Sequence, residues 1–166
     1  MDYLWTPWRM AYIRSDKKPA EGCVFCKLAA AQDDNNQVIA RSAFVYVTLN
    51  LYPYNNGHLM VIPNQHTGTP ENLPTDVLAD LMQTTNRALA VLREAYNPPA
   101  FNLGANIGPA AGAGIAEHYH FHIVPRWPGD ANFMTTVGHT RVIPDTLENI
   151  YHELKAIWHR LYPEGV

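Results

Sequence analysis

The segment EHYHFHIVPRW, residues 117–127, constrains the fold more than any other part of the chain. His118, His120 and His122 alternate with Tyr119, Phe121 and Ile123. Aromatic and β-branched residues between and after the histidines favour a strand. Side chains on a strand alternate faces, so the three imidazoles share one face while Tyr119, Phe121 and Ile123 take the other, toward a core. A rise of about 3.3 Å per residue sets neighbouring imidazoles roughly 7 Å apart. Pro125 cannot donate to a sheet ladder, so the strand is expected to end there. A hydrogen-bonded core, a metal site and a row of catalytic imidazoles all remain open at this point. Three polar rings on one face would each need a partner, which favours a site.

The flanking segments supply a sheet and helices around that strand. Residues 5–14 form a short helix or arm after Pro7, and residues 23–31 a short helix. QVIARSAFVYVTLN reads as two strands meeting near Arg41 and Ser42, YPYNNG as a loop, and HLMVIP as a strand closed by Pro63. The stretch from Pro74 to Tyr96 is the long helix, with Leu78, Leu81, Met82, Leu89 and Leu92 near one face; Pro98 and Pro99 stop it. AFNLGAN is a further strand, IGPAAGAGIAE a loop, and PGDANFMTTVGHTRV an ordered loop. A C-terminal helix spans about 144–162, with Leu147, Ile150, Tyr151, Leu154, Ile157, Trp158 and Leu161 as its apolar stripe. The expectation is a single α+β domain over residues 1–166: an N-terminal arm at 1–20 and an antiparallel sheet with helices gathered on one side.

Composition narrows the function classes. The net charge of −3 gives no general pull toward nucleic acid or an anionic membrane. The N-terminus lacks a charged-then-apolar leader pattern, and no apolar run reaches membrane-spanning length. The expectation is a cytoplasmic protein with neither nucleic acid nor membrane as partner. Its two cysteines form one CxxC pair, Cys23 and Cys26. In such a compartment the pair reads as a redox dithiol, half of a zinc site, or chance. The βαβ pattern of a thioredoxin-like protein does not precede it, and a zinc site needs two further ligands.

HYHFHIV, from His118 to Val124, fits the pattern His-φ-His-φ-His-φ-φ with φ apolar, and resembles the histidine triad family of nucleotidyl hydrolases and transferases. LNLYPYNNGHLMVIPNQH is similar to that family's upstream strand–loop–strand block, and NIGPAAGAGIAEH to its glycine-rich phosphate loop. VPRWPGDANFM and LWTPWRMAYI resemble the bacterial branch that includes diadenosine tetraphosphate phosphorylases. The resemblance covers nearly the whole chain. It implies a histidine triad fold with a long central helix and a C-terminal helix.

The resemblance also implies a mechanism and a set of roles. A neutral imidazole attacks the α-phosphate of a nucleotide, forming a covalent nucleotidyl-histidine that water or another acceptor then breaks. An imidazole whose pKa lies near ~6.5 is largely neutral at neutral pH and available for this. The middle histidine attacks, which assigns the role to His120. His122 would bind a phosphate oxygen, His58 matches the family's upstream histidine beside the phosphate, and Asn50 the residue that hydrogen-bonds the ribose. Asn106 would orient the α-phosphate or the nucleophile's neighbour. Gly108, Gly112, Ala113 and Gly114 would supply backbone N–H groups as an anion nest. A similar CxxC in bacterial members and in galactose-1-phosphate uridylyltransferases joins two histidines around structural zinc; the matching set here is Cys23, Cys26, His66 and His118.

One departure bears on the reaction. Hydrolases of the fragile histidine triad type carry glutamine where this chain has Gly114, and the spacing from Asn106 to the triad is one residue longer here. A glycine leaves room for a bulkier acceptor such as inorganic phosphate. The expected function is nucleotidyl transfer from dinucleoside polyphosphates, diadenosine tetraphosphate foremost, by phosphorolysis. The alternatives are a hydrolase of dinucleoside polyphosphates or nucleoside phosphoramidates, a nucleotide-binding regulatory protein, and a metalloenzyme that uses all three triad histidines as ligands. Family members are commonly homodimers with the sheet continued across the two-fold axis, so a homodimer or higher homo-oligomer is expected.

Overall fold

The computed structural model describes residues 22–31, 38–130, 134, 137–138 and 144–163. The N-terminal arm and most of the loop expected after Pro128 lie outside the described residues. Five strands, β1 (Val38–Arg41), β2 (Val45–Leu49), β3 (Leu59–Pro63), β4 (Ala100–Gly104) and β5 (Phe121–Arg126), pair antiparallel in the order β1-β2-β3-β5-β4. Three α-helices among the described residues accompany them: α1 (Val24–Ala30), α2 (Thr75–Tyr96) and α3 (Leu147–Leu161). This is the α+β arrangement expected.

Every residue of β2 and β3 is buried, so both faces of the sheet are covered. Val45, Val47 and Leu49, Leu59 and Val61, and Ile123 pack with Val77, Leu81, Ala88, Leu92, Ile150, Leu154 and Trp158 of α2 and α3. The alternate residues Tyr46, Met60 and Ile62 join Val38 and Phe25 of α1 in a second core. The expectation of helices on one side therefore holds for α2 and α3 but not for α1. An apolar second face must be covered, and the short helix covers it.

Of the expected stripe of α2, Leu81 and Leu92 are buried and Leu78 and Leu89 pack against the core, but Met82 does not. The buried residues of the helix are Val77, Leu81, Thr84, Thr85, Ala88, Val91 and Leu92, while Met82 is 47% exposed. Small and hydroxylated residues allow close approach to the sheet, and the Thr85 hydroxyl is satisfied by donating to the Leu81 carbonyl (2.8 Å). Asn97 closes the helix in the left-handed region (φ 42°) before Pro98. In α3 the stripe Ile150, Tyr151, Leu154 and Trp158 is buried as expected, whereas Leu161 is exposed. The helix begins at Leu147 because the Thr146 side chain accepts the Asn149 N–H (3.2 Å) and caps it.

The histidine strand is displaced from its expected bounds at both ends. β5 starts at Phe121, opposite Val61, so His118 and His120 precede it. There the Tyr119 N–H turns away to the Thr67 carbonyl, and the Pro63 carbonyl at the end of β3 is taken by the His118 ring. At the other end β5 continues through Pro125, which pairs with Phe101 of β4. The Pro125 carbonyl accepts from Asn55 Nδ2 (3.0 Å). N and O of one strand residue point to the same side, so its missing N–H faces that loop and removes no bond from β4.

One glycine in the loop ahead of β3 is required by space and by conformation. Gly57 has φ +70°, and a Cβ there would lie 2.9 Å from Tyr96 Cε2 and 3.1 Å from Leu92 Cδ2. The loop is thereby pressed onto α2, and His58 follows directly.

Candidate functional site

The three triad histidines are buried side by side, and their ring nitrogens have distinct partners. His120 Nδ1 lies 2.8 Å from the His118 carbonyl. A carbonyl only accepts, so Nδ1 carries the hydrogen and the Nε2 of the neutral ring keeps its lone pair. His120 is thus presented as a nucleophile. The rings of His120 and His122 have centroids 4.9 Å apart, closer than the roughly 7 Å spacing of alternate residues along a strand.

A second chain of donors determines what His122 does. The Tyr54 backbone N–H donates to His58 Nδ1 (2.9 Å). That nitrogen is therefore an acceptor, and the hydrogen of His58 sits on Nε2, 2.9 Å from His122 Nδ1. His122 Nδ1 accepts it, which leaves the His122 hydrogen on Nε2. His122 Nε2 is buried with no partner among the described residues. A buried donor without a partner is costly unless a ligand supplies the acceptor. Both nitrogens of His58 are engaged within this relay. Asn50 is buried beside it: its Oδ1 accepts the Tyr52 N–H (3.0 Å), and its Nδ2 lies 3.4 Å from His58 Nδ1.

Burial holds the His120 and His122 imidazoles below the ordinary histidine range. It lowers His120 against the opposing pull of the His118 carbonyl, and lowers His122 to about 4, with nearby His120 adding to the effect. Both rings are neutral near pH 7, the form the donor pattern requires.

His118 is oriented the other way. Its Nε2–H donates to the Pro63 carbonyl (2.9 Å), so Nδ1 offers a lone pair. That nitrogen is 3.3 Å from Cys23 Sγ, 3.6 Å from Cys26 Sγ and 3.3 Å from His66 Nδ1; Cys26 Sγ is 3.3 Å from His66 Nδ1. A tetrahedral zinc with Zn–N of about 2.0–2.1 Å and Zn–S of about 2.3 Å needs donors roughly 3.3 to 3.8 Å apart. The four separations, 3.3 to 3.6 Å, fit that requirement, and all four donor atoms lie within 4.8 Å of one another. Two thiols with two imidazoles form a closed structural set. The three triad histidines do not converge on one point, since their Nδ1 atoms face thiols, a carbonyl and another imidazole respectively.

Helix α1 carries the cysteine pair and is clamped to the sheet. The Arg41 guanidinium donates to the carbonyls of Leu28 (2.7 Å), Ala29 (3.1 Å) and Ala31 (2.7 Å), and the Tyr46 hydroxyl to that of Phe25 (2.9 Å). The Leu28, Ala29 and Ala31 carbonyls lie at the C-terminal end of the helix, where intrahelical donors run out, whereas the Phe25 carbonyl lies in its first turn. The Phe25 ring in turn packs on His118 and His120, with centroids 5.5 and 5.1 Å away.

The glycine loop stands just ahead of this site in the chain. Gly108 and Gly112 take left-handed backbone (φ 79° and 85°) around a 3₁₀ turn, Pro109–Ala111. The N–H groups of Ala111 and Ala113 bond to the Gly108 carbonyl and that of Gly112 to the Pro109 carbonyl. Those amides hold the loop's own shape. Gly114 is exposed, and its N–H makes no such bond among the described residues. Asn106 is half-buried two residues beyond the end of β4. Sequence reasoning missed Tyr54, Phe25 and the Pro63 carbonyl. The need of His58 for a donor from its own loop was the signal available for Tyr54; the other two had none.

The HIT domain family matches residues 31–129 of this chain. A Mycobacterium tuberculosis protein named AP-4-A phosphorylase is 42% identical over 166 residues, covering 95% of this chain and 84% of that protein. An adenosine 5'-monophosphoramidase of Candida albicans is 27% identical over 130 residues, 70% of this chain and 84% of that one. Among solved structures, a Zn-bound histidine triad family protein from Mycobacterium smegmatis is similar with a TM-score of 0.68 at 28% identity, covering 86% of this chain and 97% of that chain.

Proposed function

We propose that this chain, which belongs to the histidine triad (HIT) family, cleaves dinucleoside polyphosphates by phosphorolysis through a nucleotidyl-His120 intermediate. One observation carries the reading: the hydrogen-bond pattern leaves a lone pair on His120 Nε2 beside an unmatched N–H on His122 Nε2. A nucleophile next to an unmatched donor suits attack at phosphorus, where negative charge builds on the oxygens. The name and identity of the Mycobacterium tuberculosis relative support diadenosine tetraphosphate as the substrate.

The steps follow from those atoms. His120 Nε2 attacks the α-phosphorus, and the bond from that phosphorus to the bridging oxygen breaks. With diadenosine tetraphosphate the leaving group is ATP, and a P–N bond now holds the adenylyl group. The His118 carbonyl faces the Nδ1–H of the charged imidazole and offsets part of its charge. An oxygen of inorganic phosphate then attacks the same phosphorus, the P–N bond breaks, and ADP departs with the lone pair restored to His120. Asn50, beside His58, would bind the ribose, and Asn106 with those amides of the loop from Gly108 to Gly114 that its own turn does not use would meet the phosphates. Gly114, exposed and without a side chain, leaves room for the acceptor anion.

Cys23, Cys26, His66 and His118 would hold zinc. Bound there, the metal would supply a rigid cross-link between α1, the segment after β3 and the triad, with no open coordination position. β4 is an edge strand with Ala100, Asn102 and Leu103 exposed, and is the proposed seam of a homodimer. No helix among the described residues is long and apolar enough to cross a membrane. The free thiols of Cys23 and Cys26 suit a reducing compartment, and the cytoplasm is the proposed location.

Diadenosine tetraphosphate incubated with and without phosphate tests the reading. The expected products are ADP and ATP, dependent on phosphate. AMP as the main product at saturating phosphate would make the protein a hydrolase.

A further inference from the structure

The loop between β2 and β3 places one aromatic side chain against both imidazoles of the relay. The Tyr54 ring has its centroid 4.5 Å from that of His58 and 5.6 Å from that of His122, the latter stacked at 25°. These are favourable separations for offset ring pairs. Tyr54 is 41% exposed, whereas His58 and His122 are buried at 1% and 7%. The ring therefore stands between the relay and solvent. The same residue's backbone N–H holds His58 Nδ1 as an acceptor.

We propose that Tyr54 is a positioning residue for the nucleotidyl transfer: its ring keeps water off the hydrogen bond from His58 to His122 and holds the His122 ring with its Nε2–H available to the substrate phosphate. The role in transfer rests on the function proposed above; the shielding stands on the geometry alone. The hydrogen bond from His58 Nε2 to His122 Nδ1 is a neutral pair, and such pairs lose most of their net strength once water competes for both partners. Without the ring, water reaches both nitrogens, and His122 gains freedom to turn about its side-chain bonds. A donor mis-set by about 1 Å is enough to cost ~100-fold in rate. The backbone N–H is unaffected by substitution of the side chain, so His58 stays anchored and the loss falls on His122.

The test compares wild type, Tyr54→Phe and Tyr54→Ala. Solvent exchange of the His58 Nε2 proton is followed by NMR in the protein without substrate, and kcat and KM are measured with diadenosine tetraphosphate and phosphate. Wild type and Tyr54→Phe should show a protected imidazole proton. Tyr54→Ala should lose that protection and fall about ten- to a hundred-fold in kcat with KM changed little, while Tyr54→Phe restores most of the turnover. A protected proton in Tyr54→Ala overturns the proposal, as does a variant whose KM alone rises, since that residue would merely bind substrate. Proton exchange is read without turnover. Loss of protection in Tyr54→Ala, in a protein whose wild type forms no nucleotidyl-His120, would leave the shielding standing and remove the proposed function instead.

Discussion

His118 and His120 are two residues apart, both buried, and face opposite tasks. The Nε2–H of His118 is taken by the Pro63 carbonyl, so its Nδ1 turns to two thiols and His66. The Nδ1–H of His120 is taken by the His118 carbonyl, so its Nε2 is left with a lone pair. Neither residue type nor burial separates the proposed metal ligand from the proposed nucleophile here. A single carbonyl on one nitrogen or the other does. The two regions also share a part, because the residue whose ring faces Cys23, Cys26 and His66 supplies the carbonyl that orients the His120 ring.

The comparison breaks most completely at His120. His120→Ala should lower turnover by about three orders of magnitude or more, with the melting temperature close to wild type, since the covalent path is lost and the fold is not. Near-normal turnover by a folded variant would remove His120 from the chemistry. The metal side gives the next largest effect. Purified protein should contain about one zinc per chain, and Cys23→Ser should lower both metal content and melting temperature, because metal binding adds folding free energy. A metal-free protein with an unchanged melting curve would make the four donors bystanders.

Gly114→Gln sharpens the contrast between acceptor and donor sides. It should cut the phosphate-dependent formation of ADP several-fold while substrate KM moves less. An unchanged ratio of ADP to AMP would show that this position does not select the acceptor. The smallest effect is on stability at low pH. Folding holds His122 near 4, against about 6.5 in an unfolded chain. The unfolded state thus binds a proton that the folded state refuses. The contribution of His122 to stability is complete above about pH 6.5 and is lost as pH falls through about 4. Denaturant titrations between these limits should show a shallower decline for His122→Gln than for wild type. Parallel declines would mean that another group governs this window.

The parts of the fold set by composition and periodicity were legible. β2, β3 and the buried stripe of α3 lie where strand composition bounded by loop residues and helical spacing put them, because the strands are buried on both faces and the helix along one stripe. The stripe of α2 was legible in part: Leu81 and Leu92 are buried and Leu78 and Leu89 pack against the core, but Thr84, Thr85 and Ala88 also face the sheet, and hydropathy gives small and hydroxylated residues little weight. The start of β5 was misplaced because it depends on where β3 stops and on the Pro63 carbonyl taking a ring in place of an amide. At the site, residue types pointed to the triad face and to the CxxC pair, and the resemblance to the family joined that pair to His66 and His118. Which nitrogen of each ring bears hydrogen depends on carbonyls and amides from distant segments, and Tyr54 has only an ordinary loop context in the sequence.

Asn55 ties the loop carrying His58 to the Pro125 carbonyl at the far end of β5. The strand holding one member of the relay and the loop holding the other are therefore sewn together beyond the point where they meet. Gly57, pressed on Leu92 and Tyr96, sews the same loop to α2. The loop cannot fray alone, since lifting it means releasing strand and helix contacts with it. Spontaneous excursions that expose the imidazoles should then share the opening free energy of a larger cooperative unit, and be rarer than the fluctuations of an ordinary surface turn.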